Sequence, residues 1–481
     1  MKTNGRSCIA VACIASALWA SAVDDTVALG RRALLKEGVS LAWKFSQRAL
    51  AEAPESAAAH EFTGEVLFRR GEFAQADSEF LRATDLDGNL AQAWWGLARI
   101  ARCRSLRKTA SQYLRRAHEL DPQDRRIFRD WAMELRGQPH LDAIEKYGSM
   151  IDPDHDADEL RALRQYVQLR KALRGRNIMT LDSSYEKTEM PLAKLVNHES
   201  HVRAYGLEIV VNGNKMRLLL DTGANGILIK RRVAEAAGVA KLSDTTLRGI
   251  GNNTKLPVGY QGIAERVRIG NVEFRDALIR VVDQDTPTTE DGLIGTNVFS
   301  DFLVTLDFAA GKLRLDPLPE YSPGDHEQQD GVVPREMRNF VRVFQFGHML
   351  LLPTRVSNSR ERLFIIDTGS ARTLISYDAA AEAGKISPDD RLHLDGINGR
   401  VTDVYQTGNL FLEFAGFRQK SVGMTAFDMW EQSRNLGTEV SGLLGLPLLD
   451  LFTLTIDYRD GLVNFDYQEP SRTRVSVEPR H

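Results

Sequence analysis

The sequence predicts a multidomain protein in which an all-α solenoid of helical repeats precedes an all-β fold of two lobes. Three observations favour this organisation. Small residues recur every 34 positions in the N-terminal third, Asp-Thr-Gly occurs twice at the end of an apolar run, and the residues after each copy match in order. At 481 residues the chain is also too long for one compact core, so two to four domains are expected.

Composition and charge indicate an ordinary globular protein. Charged residues make up 26% and hydrophobic residues 43% of the chain, and no tract is of low complexity. The formal net charge of -3 supplies no electrostatic attraction for phosphate backbones. We therefore expect no nucleic-acid partner.

The first 22 residues have the pattern of a secretory signal peptide. Lys2 and Arg6 precede an apolar segment from Cys8 to Trp19, and Ala20-Ser21-Ala22 supplies small residues for cleavage. The segment is shorter than the ~20 residues that span a bilayer, which disfavours a transmembrane helix. A lipoprotein-type box at Cys13 is a minor alternative. We expect cleavage after Ala22, a periplasmic or secreted protein, and no membrane association beyond the signal peptide.

Cysteine usage excludes internal disulfides in the mature chain. Cys8 and Cys13 leave with the signal peptide, so Cys103 remains alone. Cys103 lies among Ala98, Ala101 and Leu106 on a predicted helix, where a small buried hydrophobe is favoured over a reactive thiol.

Residues 23–174 have helical periodicity throughout, and alanines recur every 34 positions, namely Ala42, Ala76 and Ala110, and Ala49, Ala83 and Ala117. This pattern resembles tetratricopeptide repeats. In that family, small residues allow two antiparallel helices to approach closely. Three units match well, a fourth is displaced by one residue, and a last helix from Ala157 to Leu173 is expected to close the stack. The resemblance implies a groove that binds a peptide or partner protein, although a structural brace and an inhibitory segment remain alternatives.

Strand patterns begin after a polar stretch at 175–201 that is predicted to be a linker. Asn212-Gly213 separates two apolar runs and predicts a hairpin whose second strand ends at Asp221. A second hairpin, Met349–Val356 with Arg362–Ile366, ends at Asp367 in the same way. We place the two lobes at 202–319 and 332–468, a linker at 320–331 and a disordered tail at 469–481.

The two lobes share landmarks well beyond the Asp-Thr-Gly sequence, which indicates an internal duplication. Each aspartate is followed 17 residues later by a glycine that suits a helix end, then by a glycine-rich tip, a hydrophobic pair between glycines, and a strand with a glycine turn. These landmarks are Gly238 and Gly384, Gly249–Asn253 and Gly396–Gly399, Gly292–Gly295 and Gly442–Gly445, and Gly311 and Gly461.

From Val202 to Tyr467 the chain is similar to the pepsin and retropepsin family of aspartic proteases. Together with the N-terminal repeats, this resemblance implies an all-α tetratricopeptide solenoid followed by an all-β bilobal aspartic protease fold. The protease resemblance assigns Asp221 and Asp367 as the catalytic pair. Each lobe would supply an active-site turn, and each turn's threonine would donate across the pseudo-twofold axis. The turn residues are Thr222, Gly223 and Ala224 in the first lobe and Thr368, Gly369 and Ser370 in the second.

The chemistry of the two turns is consistent with that assignment. Gly223 and Gly369 lack side chains, which lets the turns approach each other and brings Asp221 and Asp367 together. Two carboxylates at one site do not both ionise readily, so the pair holds one proton and offers an acid and a base. We expect an aspartic endopeptidase in which a water held between them is activated, with either aspartate as the base.

No cofactor or metal is expected for this reaction. The sequence contains no His-Glu-x-x-His zinc motif and no Gly-x-Ser-x-Gly nucleophile elbow. The substrate is expected to be a protein or peptide. The alternative is an inactive binding or scaffold protein that acts through its repeats. Retention of both Asp-Thr-Gly copies favours the enzyme, because a repurposed lobe has no evident reason to keep two desolvated carboxylates.

Two departures from pepsin bear on pH and on the flaps. Ala224 stands where pepsin-like enzymes carry a hydroxyl, and its loss should raise the pKa of the pair and extend activity toward neutral pH. Both lobes carry a glycine-rich tip without the tyrosine of pepsin's single flap, as in retroviral enzymes that cover the cleft from both sides. The candidate flap contacts are Ile250, Asn252, Ile397 and Asn398.

Overall fold

The computed structural model describes residues 23–36, 38–182, 187–197, 201–247, 249–250, 257–283, 289–321, 330–389, 391–396, 398–468 and 477–479. The predicted signal peptide lies outside these residues. The chain divides into two compact units: one extends to Arg136 and includes Gly437–Glu439, and the other comprises Gly137–Leu436 and Val440 onward. A search of the described helices finds none with the length and apolar character needed to cross a bilayer.

The first unit is a run of helices that fits a repeat domain. Helices begin at Ala57, Ala91 and Arg125, which are 34 positions apart. The recurring alanines are buried where neighbouring helices touch, as expected for positions that need a small side chain. Cys103 is buried, and burial raises the pKa of its thiol to about 12. The helices are α1 (residues 23–36), α2 (Val39–Glu52), α3 (Ala57–Arg69), α4 (Phe73–Leu86), α5 (Ala91–Cys103), α6 (Arg107–Leu120) and α7 (Arg125–Glu134).

Two further helices belong to the second unit, although the sequence placed the domain boundary at 174. They are α8 (Gly137–Ser149) and α9 (Ala157–Ala172). Leu169 and Leu173 pack in one buried cluster with Ile263, and Leu278 packs against it. Because α9 buries its apolar side chains on a β-sheet, it is part of the β-rich unit.

The predicted linker at 175–201 contains strands. They are β1 (Thr180–Leu181), β2 (Thr188–Pro191) and β3 (Ala193–Val196). Each adds to an edge of a sheet formed by later residues, pairing with strands at 272–282, 312–317 and 202–211 respectively. The backbone groups of these strands are hydrogen-bonded to strands that are distant in sequence. The sequence of a short polar segment does not reveal such partners.

The strands of the first lobe are β4 (Val202–Val211), β5 (Asn214–Asp221), β6 (Ile227–Lys230), β7 (Ala240–Thr246), β8 (Val258–Ile269), β9 (Val272–Val282), β10 (Gly292–Gly295), β11 (Phe302–Asp307) and β12 (Lys312–Pro317). Its main sheet is ordered β1-β9-β6-β10-β5-β4-β8-β7, with β3 paired to β4. The predicted hairpin is confirmed: Asn212 and Gly213 both have positive φ angles, 47° and 86°. Helix α10 (Arg231–Ala236) follows the first turn.

The second lobe repeats this plan. Its helices are α11 (Tyr377–Ala383), α12 (Trp430–Leu436) and α13 (Leu446–Leu449). Its strands are β13 (Val341–Arg342), β14 (Phe344–Phe346), β15 (Met349–Val356), β16 (Glu361–Asp367), β17 (Leu374–Ser376), β18 (Ile386–Pro388), β19 (Leu394–Gly396), β20 (Gly399–Val401), β21 (Val404–Thr407), β22 (Asn409–Phe414), β23 (Phe417–Val422), β24 (Thr425–Phe427), β25 (Gly442–Gly445), β26 (Phe452–Asp457), β27 (Leu462–Tyr467) and β28 (Val477–Pro479).

Both lobes contribute to a shared sheet, ordered β13-β27-β26-β11-β12-β2. Strands β11 and β26, which occupy equivalent positions in the two lobes, pair antiparallel, with Thr305 opposite Thr455. One continuous hydrophobic core runs through both lobes. The tail was predicted to be disordered, yet β28 pairs with β23. The shared sheet and core fix the two Asp-Thr-Gly turns relative to each other.

Candidate active site

Each Asp-Thr-Gly turn is positioned by a buried strand and a parallel neighbour. Strand β5 ends at Asp221, and β10 runs parallel to it with Gly295 opposite the aspartate. Strand β16 ends at Asp367, and β25 runs parallel to it with Gly445 opposite. The matched Gly-x-x-Gly segments thus lie directly beside the two turns, which explains their repetition in the sequence.

The two turns approach so closely that each glycine faces the other lobe's aspartate. A Cβ atom on Gly369 would lie 2.6 Å from Oδ2 and 2.8 Å from Oδ1 of Asp221. A Cβ atom on Gly223 would lie 3.0 Å from Cγ of Asp367. The absence of side chains at these positions allows the two aspartates to share one site.

Two threonines join the lobes beneath the turns. Thr222 Oγ1 donates to the carbonyl of Ile366 at 2.7 Å and accepts from the backbone N–H of Thr368 at 3.0 Å. Reciprocally, Thr368 Oγ1 donates to the carbonyl of Leu220 at 3.1 Å and accepts from the N–H of Thr222 at 3.0 Å. Both side chains are buried, so loss of either hydroxyl would leave backbone groups unsatisfied.

The carboxyl groups of Asp221 and Asp367 lie close enough for each to affect the pKa of the other. Burial raises the pKa of Asp367 well above its usual range, and the charge of Asp221 raises it further. Burial also raises the pKa of Asp221, which is opposed by the N–H of Gly223 donating to Oδ1 at 2.7 Å. The pair therefore retains a proton above the usual pH range of an aspartate, and its titration belongs to both residues together.

The hydroxyl of Ser370 does not serve the role that the sequence comparison gave it. Its Oγ donates to the carbonyl of Arg372 at 2.8 Å, whereas its backbone N–H donates to Asp367 Oδ1 at 3.0 Å. The Ser370 hydroxyl makes no contact with the carboxylate of Asp367. The alanine at position 224 therefore removes no such contact from the first turn. Burial raises the pKa values of both aspartates, and the charge of Asp221 raises that of Asp367 further.

The glycine-rich tips of both lobes lie at the cleft and touch. The N–H of Asn398 donates to the carbonyl of Ile250 at 2.9 Å, and Gly396 packs against the same carbonyl. Ile250 and Gly396 line the cleft. The other two candidates, Asn252 and Ile397, lie outside the described residues.

The cleft between the lobes has a volume of about 1370 Å³ and contains both aspartates. It is larger than the roughly 300–1,000 Å³ of small-molecule pockets. Helix α9 forms part of its wall through Arg161, Gln165 and Tyr166. Among the described residues, no cluster of three or more His, Cys, Asp and Glu side chains could hold a metal ion.

Two basic residues beside the first turn were missed by sequence reasoning. His348 Nε2 is 3.1 Å from the carbonyl of Gly223, and Arg280 donates to the carbonyl of Asn225. Burial, and to a smaller extent the charge of Arg280, lowers the pKa of His348. His348 is 125 positions from its partner, so no local spacing in the sequence could have indicated the contact.

Comparisons with known proteins give one family match in each lobe. Residues 207–301 match the gag-polyprotein aspartyl protease family, and residues 352–448 match a second family described as aspartyl protease. The crystal structure of an aspartic proteinase from Irpex lacteus is 13% identical and covers 60% of this chain and 100% of its own, with a TM-score of 0.38. No curated protein sequence matches the chain. Each family match includes one Asp-Thr-Gly turn.

Proposed function

We propose that this chain, whose two lobes are aspartyl protease domains, is an aspartic endopeptidase that hydrolyses peptide bonds in proteins or peptides. The observation that carries the proposal is the meeting of the two turns, which places the half-buried carboxyl groups of Asp221 and Asp367 together at the cleft. Paired carboxyl groups with raised pKa values at a cleft are the arrangement required for acid and base catalysis by one site.

In the proposed mechanism, a water bound between the two carboxyl groups gives a proton to the ionised one and attacks the scissile carbonyl. The protonated partner donates a hydrogen bond to the oxygen on which negative charge develops. The proton then passes to the leaving nitrogen as the tetrahedral intermediate breaks down into an acid and an amine. No covalent bond to the protein forms.

The surroundings of the pair suit an extended peptide. The volume of the cleft is large enough for more than one substrate residue, and Ile250 and Gly396 border it from the two lobes. We further propose that the tetratricopeptide-like helices recruit or orient a protein substrate or partner, and that the protein works in the periplasm or outside the cell. The signal-peptide pattern of residues 1–22 supports the location.

Digestion of a mixed peptide library tests the proposed activity. The wild type is expected to generate new internal termini, detected by mass spectrometry, at one or more values between about pH 3 and about pH 8. The matched control is the double variant Asp221→Asn/Asp367→Asn, which should leave the library intact. An intact library with the folded wild type, at every pH, would exclude the peptidase and favour a protease-fold binding protein.

A further inference from the structure

Arg280 lies in the wall of the cleft on strand β9, beside the first Asp-Thr-Gly turn. Its neighbours across the sheet are Leu228 on β6 and Gln261 on β8, and all three line the cleft. The guanidinium donates a hydrogen bond to the carbonyl of Asn225, just after the turn. A positive charge is thereby held at the segment that follows the first turn, in the wall of the cleft that contains both aspartates.

Arg280 differs from two other arginines of the cleft wall in its electrostatic partners. Arg203 pairs with Glu290 at 2.6 Å, and Arg161 pairs with Asp158 at 3.2 Å. Within the described ranges of the chain, no carboxylate forms an ion pair with Arg280. Its hydrogen-bond partner there is a neutral carbonyl, which leaves guanidinium N–H groups for a further acceptor.

Partial burial makes the positive charge of Arg280 energetically unfavourable when no anion pairs with it. Arg280 is half-buried, and burial lowers its pKa, although an arginine remains charged at neutral pH. The pKa of neighbouring His348 is also lowered, so His348 is neutral at neutral pH and adds no second positive charge. A partly desolvated cation is stabilised strongly when a carboxylate pairs with it.

The sheet face that carries Arg280 continues under helix α9. Ile263 and Leu278 are opposite each other on β8 and β9, and both pack with Leu169 of the helix. Two positions along the same strands, Gln261 and Arg280 are the next opposite pair on that face. The helix therefore closes one side of a recess, and Arg280 lies between the helix contact and the first turn.

From this arrangement we propose that Arg280 is a specificity-determining residue that binds an acidic side chain of the substrate. The recess formed by Arg280, Gln261 and α9 is a subsite for glutamate or aspartate near the scissile bond. The carboxylate would accept hydrogen bonds from the guanidinium in the partly desolvated cleft, where such charge-assisted bonds discriminate well against a neutral amide of the same shape. This inference rests on the proposed peptidase function and specifies its substrate class.

The test uses a peptide that the wild type cleaves, synthesised in pairs with Glu or Gln at each position around the scissile bond. At one position, the wild type is expected to favour Glu over Gln by about 10-fold or more in kcat/KM. Arg280→Gln should reduce that ratio to about one, and Arg280→Glu should invert it. The ratio is used because a purely structural role of Arg280 would change both members of a pair equally.

Arg372→Gln is the matched control, since Arg372 is an exposed arginine that also lines the cleft. It should leave the Glu to Gln ratio unchanged. The proposal is overturned if the wild type shows no Glu preference at any position, if Arg280→Gln retains the preference, or if Arg372→Gln abolishes it.

Binding measurements separate failure of this inference from failure of the peptidase proposal. Fluorescence anisotropy of the same labelled peptide pairs, with the Asp367→Asn protein and its Arg280→Gln derivative, needs no turnover. A Glu preference in binding that disappears with Arg280→Gln supports the subsite even if the wild type cleaves no peptide. Equal binding of Glu and Gln peptides to the Asp367→Asn protein overturns it.

Discussion

Asp221→Asn and Asp367→Asn are each expected to lower kcat/KM for peptide cleavage by about 10³-fold or more. Each substitution keeps the size of the side chain but removes either the base or the acid from the pair. Because the two carboxyl groups share one proton, neither can replace the other. The double variant should therefore be scarcely less active than either single variant, as is found for groups that act as one unit.

Asp301→Asn is the control for this series, because Asp301 is exposed and does not line the cleft. Its kcat/KM should equal that of the wild type. Thermal unfolding should show that the two dyad variants remain folded, since an amide removes a buried charge. If either dyad variant kept full activity, the two aspartates would not form the catalytic pair.

Gly369→Ala is expected to reduce kcat/KM by about 100-fold, because a misplacement of reacting groups by about 1 Å costs that much. The new Cβ atom would lie 2.6 Å from Oδ2 of Asp221, closer than packed atoms tolerate. The carboxyl group must move out of its hydrogen-bonded position, while most of the core stays as it is. Steady-state kinetics and the unfolding temperature together measure the two effects.

Gly223→Ala, the corresponding substitution in the first lobe, should reduce kcat/KM less than Gly369→Ala. The nearest atom to a Cβ atom on Gly223 would be Cγ of Asp367 at 3.0 Å, a contact that a small shift can accommodate. Gly384→Ala is the control, because its φ of 172° is extended and its nearest neighbour, Leu410 Cδ2, is 3.5 Å from the added atom. Equal activity of Gly369→Ala and the wild type would contradict the close approach of the turns.

The bilobal fold was predictable because its signals are local and occur twice. The Asn212-Gly213 hairpin and the run into Asp221 depend on residues adjacent in sequence, and the second lobe repeats them around Asp367. The approach of the two turns followed from the glycine in each turn together with the duplication. The structure brings Asp221 and Asp367 together as the sequence predicted.

Features that depend on distant partners were not predictable. The strands within 175–201 pair with residues far along the chain, and α9 belongs with the sheets because Leu169 meets Ile263. The direction of the Ser370 hydroxyl is set by the carbonyl of Arg372, which a family comparison does not reveal. The location of Arg280 in the cleft wall likewise depends on the order of strands in the sheet, which sequence periodicity does not determine.

The pH dependence of kcat/KM on one cleaved peptide tests the shared proton most directly. The usual pKa of an aspartate is near 3.8, and the pKa values of both aspartates are raised above it. As pH falls, the pair therefore binds its first proton at a pH above that value and becomes active. Binding of the second proton at lower pH removes the base and the activity. Ser370→Ala should leave both limbs in place, because the serine hydroxyl donates to Arg372 and not to Asp367.

We expect a bell-shaped profile whose upper limb lies above pH 3.8. In any residual activity of Asp367→Asn, the pKa of that limb should be absent. Activity that increases continuously with pH, and is greatest when both carboxyl groups are ionised, would contradict a catalytic pair that holds one proton.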